Sequence, residues 1–185
     1  FFIHSREGLE TEYLSEEWMQ AVGAAVDRAA GQHMEAWIYD EDKWPSGSAG
    51  GLVSKADPGK YTAKAISLEV FDAGHLPDRT IRVGDACEDG TVVALMSARI
   101  EGRTIGKYTR EEALGAGMEI PFGNAWLVFR VEVSGESEWY NGFAPSDNLN
   151  PDAVRTFLDL THERYKDRFQ QEFGRAVKGF FTDEP

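Results

Sequence analysis

Cysteine is almost absent from the 185 residues, Cys87 standing alone. One thiol excludes an intrachain disulfide and a cysteine-built zinc site, and it reads as a small buried hydrophobe rather than a nucleophile. Histidine is scarce as well: His4, His33, His75 and His162 are scattered, with none of the spacing of a His-Glu-x-x-His ligand set, so no metal site is expected. Positive charge is also short. Lys and Arg number 19 against 32 Asp and Glu, a formal net charge of -13. Such a surface repels phosphate backbones and anionic lipid, which excludes nonspecific binding to nucleic acid or a membrane surface. No apolar run reaches the roughly 18 residues that a bilayer crossing needs, and no signal peptide is visible. The chain opens on Phe1-Phe2-Ile3 without an initiating Met, which leaves room for a removed upstream segment and leaves the compartment open. No cofactor is expected either. Gly47, Gly50 and Gly51 lack the Lys and Ser/Thr of a phosphate loop, and Asp40-Glu41-Asp42 lacks the spaced ligands of an EF-hand.

A 42% hydrophobic content supports a packed core. Phe1 to His4 is a short apolar run that reads as a buried strand. Ser15 followed by Glu16 and Glu17 predicts a helix start, with the serine as N-cap and the acids favoured by the helix dipole. Trp18, Met19, Val22, Ala25, Val26 and Ala29 recur at helical spacing and Gly31 is read as the close. Met34 to Tyr39 is a second strand. Strand, helix, strand predicts parallel pairing through a right-handed crossover.

From about Lys55 to Glu138 the texture is antiparallel β. Tyr61 to Phe71, Thr80 to Val83, Thr91 to Ile100 and Trp126 to Val133 read as strands, and Glu88-Asp89-Gly90-Thr91 as a hairpin turn. An ordinary α+β domain without an insertion is the competing reading. Asn150-Pro151 then starts a long helix, with Val154, Phe157, Leu158, Leu160, Thr161, Tyr165, Phe169 and Phe173 as its apolar stripe and Gly174 at its end. Val177 to Phe181 closes the series as a strand.

Acids follow two of the strands: Asp40, Glu41 and Asp42 after one, Asp183 and Glu184 after the other. In α/β sheets and barrels ligands bind beyond the carboxyl ends of strands, where the loops converge. Paired carboxylates there suit glycosidic cleavage, one giving a proton to the leaving oxygen and the other acting as base or nucleophile. Trp37, Tyr39, Trp44 and Tyr140 can supply ring faces and hydroxyls for a sugar. His4, Arg6 and Asp147 are further candidates for the pocket wall. Loop acids and helix caps explain any one of these acids equally well.

The segment Tyr39-Asp40-Glu41-Asp42-Lys43-Trp44-Pro45-Ser46-Gly47-Ser48-Ala49-Gly50-Gly51, with Phe181-Thr182-Asp183-Glu184-Pro185, resembles a group of bacterial glycoside hydrolases with (β/α) barrels, including α-L-rhamnosidase-like proteins. Phe1 to Trp18 is similar to the same group. The resemblance covers less than half of the chain. Asp183-Glu184-Pro185 further resembles the Asn-Glu-Pro that ends the fourth strand in the large retaining glycosidase clan, where the Glu is the acid/base. It departs from it at Asp183, which stands where that clan has the Asn that holds the substrate 2-hydroxyl.

The resemblance implies an α/β fold, a partial (β/α)8 TIM-type barrel of its first four βα units; the antiparallel texture of the middle segment reads as a β module inserted into it, dividing the chain into residues 1–54, 55–138 and 139–185. It implies a glycosidase whose proton donor is Glu184, with Asp183 beside it, and whose usual nucleophile lies beyond residue 185; Asp40 or Glu41 is a possible local substitute. To deliver a proton, Glu184 has to be held above the roughly 4.3 of a free Glu, by burial and by Asp183. The partners implied are an oligosaccharide or glycoside substrate and the rest of the same barrel. A full barrel takes about 250 residues, so open sheet edges and bare apolar faces are expected. The rivals are a noncatalytic carbohydrate-binding protein and a metal-dependent hydrolase on a similar barrel.

Overall fold

The computed structural model describes residues 1–72, 80–81, 91–111, 118–119 and 123–184. In chain order its strands are β1 (Phe2–Ile3), β2 (Ala36–Tyr39), β3 (Lys64–Asp72), β4 (Thr80–Ile81), β5 (Val92–Glu101), β6 (Thr104–Arg110), β7 (Met118–Glu119), β8 (Ala125–Val133) and β9 (Val177–Phe181). Its α-helices are α1 (Glu16–Gly31), α2 (Leu52–Ala56), α3 (Pro58–Tyr61), α4 (Pro151–Leu158) and α5 (Arg164–Phe169). The chain divides into two compact units, Phe1–Ala63 with Ser134–Pro185, and Lys64–Val133. Cys87, His75, Pro185 and the turn expected at Glu88 to Gly90 lie outside the described residues.

The first unit is built on a three-stranded parallel sheet in the order β1-β2-β9. Three parallel strands are therefore present among the described residues, where the barrel reading counts four units. The α1 helix starts as its sequence predicts: Ser15 Oγ accepts the Trp18 amide at 3.1 Å, and Glu16 and Glu17 occupy the first turn. Trp18, Met19, Val22, Val26 and Ala29 form its buried face. It ends at Gly31 as expected, but not through a left-handed glycine. Gly31 is the last helical residue, and the left-handed step falls on His33, φ 54°, with Met34 N–H returning to the Ala29 carbonyl at 2.9 Å.

The α4 helix begins at Asn150, whose side chain accepts the Asp152 amide, with Pro151 in the first turn. It continues through a π turn, Asp159–Glu163, into α5. Thr161 is fully buried in that turn and returns its hydroxyl to the Phe157 carbonyl at 2.7 Å. The expected stripe is narrower in the fold: Phe157, Thr161 and Tyr165 are buried, whereas Val154 and Leu158 are 36% and 41% exposed. The stripe closes on α1, where Trp18 Nε1–H donates to the Tyr165 hydroxyl at 2.7 Å.

Among the described residues, helices pack against one face of this sheet. Ile3, Ala36, Ile38 and Val177 are buried in the same cluster as α1, Phe157 and Tyr165. The other face carries Phe2, Trp37 and Phe181, which are 57%, 37% and 38% exposed. Their rings touch, Phe2 lying 6.4 Å from Trp37 and 5.4 Å from Phe181 between centroids. Trp37 crosses Gly179, where an added Cβ would come within 2.8 Å of the indole.

The second unit holds a four-stranded antiparallel sheet, order β3-β8-β5-β6, and a two-stranded one, β4-β7. Its longest pairing runs from Lys64↔Val133 to Asp72↔Ala125. Leu95, Ala98 and Trp126 to Val128 are buried, whereas every residue of β6 is exposed. That exposure explains why Thr104 to Arg110 gives no apolar signal in the sequence. Tyr61, expected in a strand, ends the short helix α3, because Asp57 caps Lys60 N–H and Pro58 opens the turn. This places residues 55–63 and 134–138, which the sequence assigns to the insertion, in the first unit.

Candidate active site

Parallel pairing brings the carboxyl ends of β1, β2 and β9 to one rim. Ile3 lies beside Ile38 and Tyr39 beside Phe181, so His4 and Ser5, Asp40 to Asp42, and Thr182 to Glu184 emerge as three adjacent segments. Two sets of hydrogen bonds tie them together. Ser5 Oγ–H donates to Asp42 Oδ1 at 2.7 Å, joining the first segment to the second. Asp40, wholly buried, joins the second to the third: its Oδ1 accepts Ser46 Oγ–H at 2.7 Å and its Oδ2 accepts Thr182 Oγ1–H at 2.6 Å. Ser46 completes the tie through its backbone, N–H to the Asp183 carbonyl at 2.8 Å, and its Oγ accepts the Asp183 amide at 3.0 Å.

His162 approaches Asp40 from the π turn, Nε2 to Oδ2 3.4 Å. Burial holds the imidazole below its ordinary 6.5, while the Asp40 and Glu163 carboxylates oppose that shift. A cavity of about 340 Å³ opens here between Asp40, Asn148, Phe157, Leu158, His162 and Thr182.

Glu41 points into the loop that follows β2. It is wholly buried, and five backbone N–H groups converge on its carboxylate. Oε1 accepts from Asp42 at 2.9 Å and Gly50 at 2.5 Å; Oε2 accepts from Gly47 at 3.0 Å, Ser48 at 2.8 Å and Ala49 at 2.8 Å. Burial pushes this carboxyl up to about 7, and the N–H donors pull against that. The loop is glycine-rich because it must be tight. Gly51 has φ 91°, and a Cβ there would stand 2.3 Å from the Tyr140 carbonyl oxygen.

Asp42 borders a second cavity, of about 250 Å³, lined by Glu10, Glu12, Asp42, Lys55, Asn141 and Phe143 among others. Asn141, held left-handed at φ 55°, donates from Nδ2 to Asp42 Oδ2 and to the Gly50 carbonyl, each at 3.0 Å. Next to it Trp44, 46% exposed, meets Trp139 edge to face at 4.7 Å. Trp139 Nε1–H donates to the Trp44 carbonyl at 2.6 Å, and the Trp44-Pro45 peptide is cis.

The remaining candidates divide. His4 is half-buried and stacks on Tyr39 at 4.0 Å, within the rim, and Tyr39 also meets Phe181 at 5.7 Å. The Tyr39 phenol is raised by burial and by the Asp183, Glu41 and Asp40 carboxylates. Tyr140, next to Asn141, is raised by burial and by Glu41. Asp183 is half-buried, whereas Glu184 is exposed, at φ 47°, so the burial expected around Glu184 is not found among the described residues. Arg6 is exposed. Trp37 lies on the sheet face, over Gly179, rather than in a strand-end loop. Asp147 serves the turn before α4, its Oδ1 accepting Leu149 N–H at 3.1 Å.

Ser5, Ser46, Trp139, His162 and Thr182 carry no site signal in the sequence. Ser46 lies inside the Trp-Pro-Ser-Gly stretch and Thr182 beside the terminal acids, and no pattern of residues marks either one. Among the described residues, no group of three or more His, Cys, Asp and Glu side chains is arranged to hold a metal ion. No helix among them is long and apolar enough to cross a membrane. No protein-family profile, characterised protein or solved structure matches the chain.

Proposed function

We propose that this chain contributes part of the active site of a glycoside hydrolase built on a (β/α) barrel. The observation that carries the reading is the shared rim: Asp40 to Asp42 and Asp183-Glu184 follow neighbouring parallel strands and are laced together by Ser46 and Thr182. In this reading Glu184 gives its proton to the glycosidic oxygen as the C–O bond breaks, and Asp183 lies beside it. A second carboxylate, from a strand outside this chain, attacks the sugar carbon or activates water. Asp42, Asn141 and the Trp44–Trp139 corner line the sugar-binding side. The partly exposed rings of Phe2, Trp37 and Phe181 support a sheet that other strands of the same barrel continue and enclose.

The test is Glu184→Gln in the full-length protein, assayed on a panel of alkyl and 4-nitrophenyl glycosides. Removing a general acid lowers turnover about 10²–10⁴-fold. The loss is expected in full for alkyl leaving groups and is smaller for cleavage of 4-nitrophenyl glycosides, whose leaving group departs as an anion. Wild-type turnover of the alkyl glycosides by the variant removes Glu184 from the chemistry. The exposed Trp44–Trp139 corner serves a noncatalytic sugar-binding protein equally well, and calorimetric binding of sugars by the wild type without hydrolysis of any of them selects that second reading.

A further inference from the structure

We infer that Glu41 is a positioning residue, whose carboxylate is the template on which the loop from Asp42 to Gly50 folds. Three observations carry this. First, both carboxylate oxygens are filled from within the chain: Oε1 by two backbone N–H donors and Oε2 by three, all at 2.5–3.0 Å. An acid, base or nucleophile needs a lone pair or a proton facing the substrate, and this side chain is wholly enclosed.

Second, four of those donors are consecutive, Gly47 to Gly50, and Gly47, Ala49 and Gly50 have φ of 127°, 49° and 64°. These positive-φ steps, with Ser48 between them, turn successive N–H groups inward, where no strand or helix satisfies them. Buried backbone donors require partners, and a single carboxylate meets them together. Third, the loop carries groups that line the candidate site. Asp42 N–H is itself one of the donors, and the Gly50 carbonyl shares the Asn141 amide with Asp42 Oδ2. Glu41 therefore sets where the Asp42 carboxylate and the Trp44 ring stand, while Asp42 borders the 250 Å³ cavity and Asp40 the 340 Å³ one, and Glu41 lines neither. The catalytic consequence rests on the glycosidase reading; the folding of the loop does not.

Amide hydrogen exchange on the full-length protein tests the template directly. In the wild type the amides of Gly47 to Gly50 are expected to exchange about 10³-fold or more below unstructured-chain rates. In Glu41→Gln, exchange across residues 42–50 rises at least tenfold while the amides of Val22 to Ala29 in α1 stay unchanged. Asp42→Asn, which leaves the template intact, keeps the loop protected; it and the wild-type pattern decide the matter should Glu41→Gln not fold. On 4-nitrophenyl glycosides Glu41→Gln is expected to raise KM more than it lowers kcat and to leave both limbs of the pH profile of kcat in place. Unprotected loop amides in the wild type overturn the inference. So does a variant whose loop exchange is unchanged while kcat falls 10³-fold and is rescued by azide, the mark of a lost nucleophile. If the wild type hydrolyses no glycoside, the glycosidase reading falls, and the exchange measurements still decide the role of Glu41.

Discussion

Replacing Asp40 with alanine tests whether the two strand-end segments are held together by the hydrogen bonds that join them. The wild-type carboxylate is fully buried and accepts hydrogen bonds from the Ser46 and Thr182 hydroxyls at 2.7 and 2.6 Å. Hydrogen bonds to a charged group contribute about 1.5–3 kcal/mol each. Losing both while also releasing a carboxylate from burial leaves a net cost of about 2–4 kcal/mol. Asp40→Asn is milder, about 1–2 kcal/mol, because its oxygen still accepts from Ser46 and its amide can turn to the Thr182 hydroxyl. Ser46→Ala costs about 2–3 kcal/mol, since it also deprives the Asp183 amide of its acceptor. Thr182→Val costs about 1–2 kcal/mol, less than Ser46→Ala because it breaks one of these contacts rather than two. Equilibrium urea unfolding of the full-length variants measures the series, and a Ser46–Thr182 double-mutant cycle reads their coupling through the shared carboxylate. Asp40→Ala within about 0.5 kcal/mol of wild type, or Thr182→Val as costly as Ser46→Ala, refutes the reasoning.

Gly51→Ala is expected to destabilise by about 2 kcal/mol or more, because its Cβ meets the Tyr140 carbonyl and its φ is 91°. Gly31→Ala, where a Cβ meets nothing within 4 Å, is expected to stay within about 0.5 kcal/mol of wild type; thermal melts of the pair check the contrast. His162 is expected to titrate by NMR with a midpoint below 6.5. Because its folded pKa is depressed, the unfolded chain binds the extra proton first. Its contribution to stability is fully present above pH 6.5 and is lost as pH falls through the folded midpoint. His162→Gln flattens that acid limb of the stability profile.

Much of the fold is visible in the residues. Helical spacing, the Ser15 and Asn150 caps and the short apolar runs locate α1, the start of α4, β1, β2 and β9, because each depends on local propensity and periodicity. Strand–helix–strand order also foretells the parallel sheet and so the common rim. Three details escape that reading for physical reasons. An exposed strand such as β6 has no apolar face to announce it. A π turn is set by packing around Thr161. A tight Asp-Pro cap at Asp57 overrides the strand propensity of Tyr61.

The site divides along the same line. Asp40-Glu41-Asp42 stands out in the sequence as a cluster of acids, and local chemistry cannot tell its members apart. Their roles depend on where each side chain turns after β2 ends. Asp40 turns to Ser46, Thr182 and His162, the last two more than a hundred residues away. Glu41 turns into its own loop, and Asp42 toward Ser5 and Asn141. Composition and spacing therefore determined that acids gather at strand ends, since that follows from the order of apolar and polar residues along the chain. Which of them clamps, bridges or borders a cavity was decided by tertiary structure alone, because burial and hydrogen-bond partners arise only when distant segments meet.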